Sequence, residues 1–306
     1  MESPTSPPRH WLQKIFISPH ESRLRAGWRL AGQSLLLIFA LSLFSSLGNG
    51  VLSTRSDISY AGLLLFSTMI SSLAVTASIF IARRLLDQRS FVSLGLEIKS
   101  QSVKDILFGV LLSGLMVGVI YLLFWAFGWL EVESLAWHVE GWGSLLSSVL
   151  VMISFFVLVA WQEELLLRGY WLQNLSDGLS RSLGVLLSSA LFAFAHVVNP
   201  NLSWEAYLGI FLSGLFLAYG YLRTNQLWLP IGLHIGWNLF EGTVFGFPVS
   251  GQYYYQLVRQ TLSGPEIITG GAFGPEAGFI LLPVLLLGVA GIFWYTRNRS
   301  PVQGAN

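Results

Sequence analysis

Two adjacent carboxylates, Glu163 and Glu164, lie inside the apolar stretch Leu158-Val-Ala-Trp-Gln-Glu-Glu-Leu-Leu-Leu-Arg168. Hydrocarbon penalises each ionised group by several kcal/mol, so their presence requires a reason. Two further polar clusters occupy equally apolar runs: His196 closes Leu191-Phe-Ala-Phe-Ala-His, and His234 with Asn238 falls in Ile231-Gly-Leu-His-Ile-Gly-Trp-Asn. Residues four apart share a helix face, which groups Glu164 with Arg168, Phe192 with His196 and His234 with Asn238. Glu163 is turned about 100° from Glu164 on the same helix, so one carboxylate is expected to pair with Arg168 and the other to face a cavity. A carboxylate in a partly desolvated pocket suits a general base acting on water, and Glu163 is the expected base. Neutral His holds the water or donates to a developing oxyanion, and an Asn amide donates without changing charge. Those are the parts that hydrolyse an amide.

The elements that must carry these residues follow from composition. Of 306 residues, 53% are hydrophobic and 11% charged, against roughly 25% charged in a soluble domain. With a mean hydropathy of +0.62, the composition describes a membrane protein whose direct surroundings are the lipid bilayer. The expected fold class is all-α, a polytopic bundle of about eight transmembrane helices near 28–47, 60–82, 106–129, 145–170, 183–198, 206–222, 228–245 and 277–295, since a span needs about 20 apolar residues. Twelve Trp fit interfacial belts as well as helix packing. Basic residues gather in alternate connections: Arg9, Lys14, Arg23 and Arg25 before the first span, Arg83, Arg84, Arg89, Lys99 and Lys104 after the second, then Arg181, Arg223, Arg297 and Arg299. The other connections carry Glu131, Glu133 and Glu140, with only Arg55 and Arg259 as cations. The positive-inside rule then puts both termini in the cytosol. A multi-pass protein of the plasma (cell inner) membrane is expected, with a cytosolic tail at 1–24, an integral domain at 25–300 and a short tail at 301–306. A cleaved signal peptide fits less well, because the first apolar run is long enough to span. A net charge of +1 argues against nucleic acid as a partner. The absence of Cys removes disulfides, thiolate ligands and a Cys nucleophile.

Small-xxx-small spacings at Gly209/Ser213, Gly214/Ala218, Gly232/Gly236 and Gly242/Gly246 would let helix backbones approach closely, and Gly232 and Gly236 bracket His234. The longest loop, 247–276, contains turn signals and places Pro275 and Glu276 where a helix starts. No chemistry is assigned to it from sequence. His10, His20 and His138 lie in the tail or a loop and read as solvated.

Glu163-Glu164-x-x-x-Arg168, Phe192-x-x-x-His196 and His234-x-x-x-Asn238, in that order on successive hydrophobic segments, resemble the three motifs of the CPBP intramembrane proteases, the CAAX type II protease and bacteriocin-processing (Abi) family. Arg89-Ser-Phe-Val-Ser-Leu-Gly95-Leu and the run from Gly270 to Glu276 are also similar to bacterial members, so the resemblance covers about 89–296. It implies an intramembrane endopeptidase acting on a peptide or membrane-protein substrate. By that resemblance Glu163 and His196 activate the water, His234 and Asn238 stabilise the oxyanion, and Glu164 and Arg168 orient the base or grip the substrate.

Two His and a carboxylate, Glu163, His196 and His234, would also suit zinc. The helical His-Glu-x-x-His of zinc membrane proteases is absent, and a metal-independent mechanism is favoured with zinc as the alternative. Other functions are weighed against this one. A non-catalytic scaffold or immunity-type peptide-binding protein of the same fold would keep the motifs for binding. A transporter would use intramembrane carboxylates and His as a relay but predicts repeated helix halves, which the sequence lacks. A serine protease built on Ser213 and His234 would leave both glutamates unexplained. The span limits also pose a geometric problem: straight helices put Glu163 and His196 roughly 10 Å apart in depth at 1.5 Å per residue. A long tilted fourth helix, or a fifth that starts deeper, is needed to bring them level.

Overall fold

The computed structural model describes residues 11–18, 22–54 and 58–299, and these are mostly helical. The outermost parts of both tails, with His10, His20 and Arg55, lie outside the described residues, and so do the expectations stated for them. Eight hydrophobic helices occupy the expected places: α1 (Ala26–Leu52), α2 (Tyr60–Leu85), α3 (Ser100–Ala126), α4 (Trp142–Gly178), α5 (Arg181–Ala195), α6 (Trp204–Thr224), α7 (Trp228–Asn238, continued by a π-helical turn Leu239–Val244) and α8 (Leu281–Thr296). Five of them, α1, α2, α3, α4 and α6, are long and apolar enough to cross a membrane, which makes this a multi-pass membrane protein. The others are shorter than a full span: α5 and α8 are apolar helices of 15 and 16 residues. All three sit against longer neighbours, α5 on α6, α8 on α6 and α3, and α7 on α3.

Helix α7 is the central element, buried along its whole length from Leu229 to Asn238. Its seat on α3 depends on the two glycines that flank His234. A Cβ at Gly232 would overlap the Ile106 carbonyl, and one at Gly236 would stand 2.7 Å from Val110 Cα. Only a hydrogen at these positions allows backbone to touch backbone, as the small-residue spacing implied. Met116, Ile120, Leu217, Leu233 and Trp237 fill the core on one side of α7, and Ile79, Leu165, Tyr170 and Ile231 on the other.

The all-α expectation needs one correction. The third connection and the last long loop each contribute a strand, β1 (Leu130–Leu135) and β2 (Val258–Leu262), paired antiparallel with Leu130 opposite Leu262 and an irregularity between Val132 and Ser134. The alternation Leu130-Glu131-Val132-Glu133 is a strand pattern. Its partner lies about 130 residues away in sequence, so composition alone gives no reason to pair them.

The depth problem is resolved by the position of one turn. Helix α4 does not stop near Tyr170; a π-helical turn at Leu165–Trp171 carries it on to Gly178, and α5 begins at Arg181. Glu163 lies fifteen residues before Gly178, and His196 fifteen residues after Arg181. At 1.5 Å per residue each is about 22 Å from the same tight turn, and the two are level.

Candidate active site

Glu163 and Glu164 close the α-helical part of α4, immediately before the π turn. Such single π turns within α-helices concentrate at functional sites, and α7 has one immediately after Asn238. The two carboxylates separate as the helical geometry requires. Glu164 is fully buried, and its Oε1 accepts from Arg168 Nη1 at 2.9 Å and pairs with His234 Nδ1 at 2.9 Å. Arg168, also fully buried, donates a second bond to the Gly214 carbonyl at 3.1 Å and lies over the Phe192 ring at 4.3 Å. A guanidinium bonded through both terminal nitrogens, with an aromatic face beneath it, balances the buried carboxylate although its Nε has no partner.

Glu163 is half-buried and its side chain retains 28% of its exposure. Its Oε2 stands 3.9 Å from His234 Nε2, too far for a hydrogen bond, and has no hydrogen-bond partner. A buried acceptor without a partner is expensive unless something else supplies the proton. The Nδ1 bond to Glu164 fixes the His234 ring so that Nε2 points at Glu163.

His196 is not inside its helix but caps it. Its ring Nδ1 lies 2.8 Å from the Phe192 carbonyl, one of the acceptors that a helix C-terminus leaves without an intrahelical donor. Nδ1–H donating there leaves Nε2 for other partners. Phe192 is a packing residue, as expected: its ring contacts His196 at 4.9 Å and His234 at 6.0 Å between centroids, besides carrying Arg168.

One cavity of about 560 Å³ unites these groups: Glu163, His196, His234 and Asn238 all line it. Its apolar walls come partly from α1 and α2 through Leu37, Leu41 and Val75, and partly from Phe155, Phe156 and Tyr254. Glu164 and Arg168 lie behind the cavity wall and act on it through His234 and Phe192.

A further carboxylate in the cavity went unassigned in the sequence. Glu276 belongs to a one-turn helix, Pro275–Ala277, that starts with proline as its sequence suggested. Its Oε2 accepts from both the backbone N–H and the hydroxyl of Ser250 at 2.7 Å, while Ser250 adopts a left-handed backbone with φ of 47°. Asn199, three residues after His196, donates to the Ser250 carbonyl at 3.0 Å and ties the same turn to α5's end. Gly209 makes room for this loop, because a Cβ there would overlap the Glu276 carbonyl oxygen. Burial pushes the Glu276 carboxyl up from the ordinary carboxylate range, against the Ser250 bonds and the nearby His196 and His234. The glycine-rich run around Gly270 was a turn signal, but the fold-back that brings Glu276 to α7 is a tertiary event.

The zinc alternative can be tested on the donor geometry. Among the described residues no group of three or more His, Cys, Asp or Glu is arranged to hold a metal ion. His234 and His196 each engage Nδ1, with Glu164 and a carbonyl, and keep Nε2 open, but with Glu163 they do not form a group arranged to hold a metal ion.

Residues 143–240 match the family model described as Rce1-like: Type II CAAX prenyl endopeptidase Rce1-like. That segment, about a third of the chain, is similar to this family. It runs from the start of α4 into the π turn of α7, and therefore contains all three motifs and every candidate residue except Glu276. This supports the resemblance to the CPBP and CAAX-type proteases read from the motifs, and with it protease activity in general terms on a peptide substrate. No curated protein and no solved structure matches the chain. Helices α1, α2, α3 and α8 lie outside the Rce1-like segment, yet α1 and α2 wall its cavity.

Proposed function

We propose that this protein is an intramembrane endopeptidase that hydrolyses a peptide bond with water activated by Glu163. The observation that carries the reading is the unpartnered Oε2 of Glu163, set in a cavity that His234, His196 and Asn238 also line. The Glu163 carboxylate takes a proton from water as the water oxygen bonds to the scissile carbonyl carbon. The carbonyl π electrons move to oxygen, where the Asn238 amide donates, and His234 Nε2–H donates as well when the ring carries both protons. As the C–N bond breaks, the proton on Glu163 passes to the departing amine. His196 Nε2 helps hold the water, and Glu164 with Arg168 keeps His234 aimed at the base.

The medium fits amide hydrolysis. Apolar walls from Phe155, Phe156 and Val75 lower the local polarity, which strengthens each of these contacts. With both termini in the cytosol, as the distribution of Lys and Arg suggests, the turn between α4 and α5 faces the same side.

The test is cleavage of a peptide library by protein purified in detergent, wild type beside Glu163→Gln and His196→Ala, with and without chelator. Cleavage lost in both variants and indifferent to chelator supports the mechanism. Loss on chelation with recovery on adding zinc replaces it with a metalloenzyme. Specific peptide binding without any cleavage by wild type replaces it with the scaffold reading.

A further inference from the structure

The cavity offers carboxyl groups without a matching Lys or Arg. Its described lining includes two carboxylates, Glu163 and Glu276, and no Lys or Arg. The adjacent guanidinium, Arg168, is already bound to Glu164 and the Gly214 carbonyl. Each imidazole is committed through one nitrogen, His234 to Glu164 and His196 to the Phe192 carbonyl.

Glu276 is also built to present one oxygen. Its residue is 5% exposed, and Ser250 takes Oε2 with two bonds of 2.7 Å. Oε1 accepts no hydrogen bond and is not sealed in, so it opens on the cavity that Glu276 lines. The loop that carries it is fixed from two sides, by Asn199 on the Ser250 turn and by Gly209 beneath the Glu276 backbone. Burial favours the neutral carboxyl while the chamber is empty, and a cation brought against Oε1 would hold it ionised, so the fixed open oxygen suits a cationic group of a ligand.

We infer that Glu276 is a cation-recognition residue of the substrate site, receiving an ammonium or guanidinium group of the bound peptide, either a Lys or Arg side chain or its amino terminus. The inference rests on the cavity being a peptide site, as the proposed function has it, but its readout is binding and not cleavage. The proposed base works at Glu163; Glu276 selects which peptide is held beside it.

The experiment measures binding of fluorescent Ala/Leu host peptides to purified full-length Glu163→Gln protein in detergent. One pair differs only by Lys against acetyl-lysine, the other only by a free against an acetylated amino terminus. The expected result is about tenfold tighter binding of at least one cationic member, with the two pairs separating side chain from terminus. Adding Glu276→Gln, which keeps an acceptor for Ser250, should remove the preference, and adding Glu276→Asp should retain part of it. A preference that survives Glu276→Gln overturns the inference, as does equal or undetectable binding of every peptide. If the charge preference holds while wild type cleaves nothing, the cation site stands and the protease reading falls. If wild type cleaves the charged and the acetylated member equally in both pairs, the protease reading stands and the cation site falls.

Discussion

Glu164 Oε1 meets His234 Nδ1 at 2.9 Å and Arg168 Nη1 at the same distance, so one buried oxygen joins α4 to α7 and fixes the imidazole next to Glu163. The pair of motif glutamates is therefore a division of labour: Glu164 faces inward to hold His234, while Glu163 faces the cavity.

Removing the inner carboxylate should cost stability as well as activity. Glu164→Ala leaves Arg168 buried and uncompensated, a loss of about 3–5 kcal/mol for a buried pair broken on one side. Thermal melting in detergent should show a large fall for Glu164→Ala and a smaller one for Glu164→Ala combined with Arg168→Met. Equal falls, with no coupling between the two positions, would mean that the ion pair contributes nothing to packing.

The seat of the Glu276 loop gives a second prediction. Gly209→Val puts a branched side chain where the Glu276 carbonyl oxygen lies. Helix α6 should survive, since Val is tolerated in a membrane helix, while the loop is displaced. Circular dichroism is expected to stay unchanged, with turnover falling at least tenfold, about 1.4 kcal/mol in the barrier. Wild-type turnover in this variant would show that the loop does not shape the cavity.

Much of this site is legible in the sequence, for physical reasons that differ residue by residue. The Glu164–Arg168 pair and the outward turn of Glu163 follow from helical spacing alone, and the close seat of α7 follows from Gly232 and Gly236. Glu276 is not legible, because its place depends on a loop folding back through Ser250 and Gly209. The β1–β2 pair is hidden for the same reason: strands far apart in sequence are joined by tertiary structure. The level of His196 with Glu163 also escapes a reading by apolar span, since the π turn after Glu164 keeps α4 helical to Gly178.

Orientation has a direct test that this chain makes simple, because it contains no Cys. Leu179→Cys, in the turn between α4 and α5, and Val139→Cys, beyond β1, both sit at exposed positions. The proposed topology has Leu179→Cys labelled by an impermeant maleimide only after the membrane is opened, and Val139→Cys labelled in intact cells. The reverse pattern would invert the bundle.

The central claim is that Glu163 activates the water. Single-turnover cleavage of one bound peptide in proteoliposomes, wild type against Glu163→Gln at matched occupancy, tests it most directly. The account predicts equal affinity and melting temperature with the chemical step slowed by about 10²–10⁴, the range for loss of a general base. A Glu163→Gln protein that cleaves its bound peptide at the wild-type rate would contradict it.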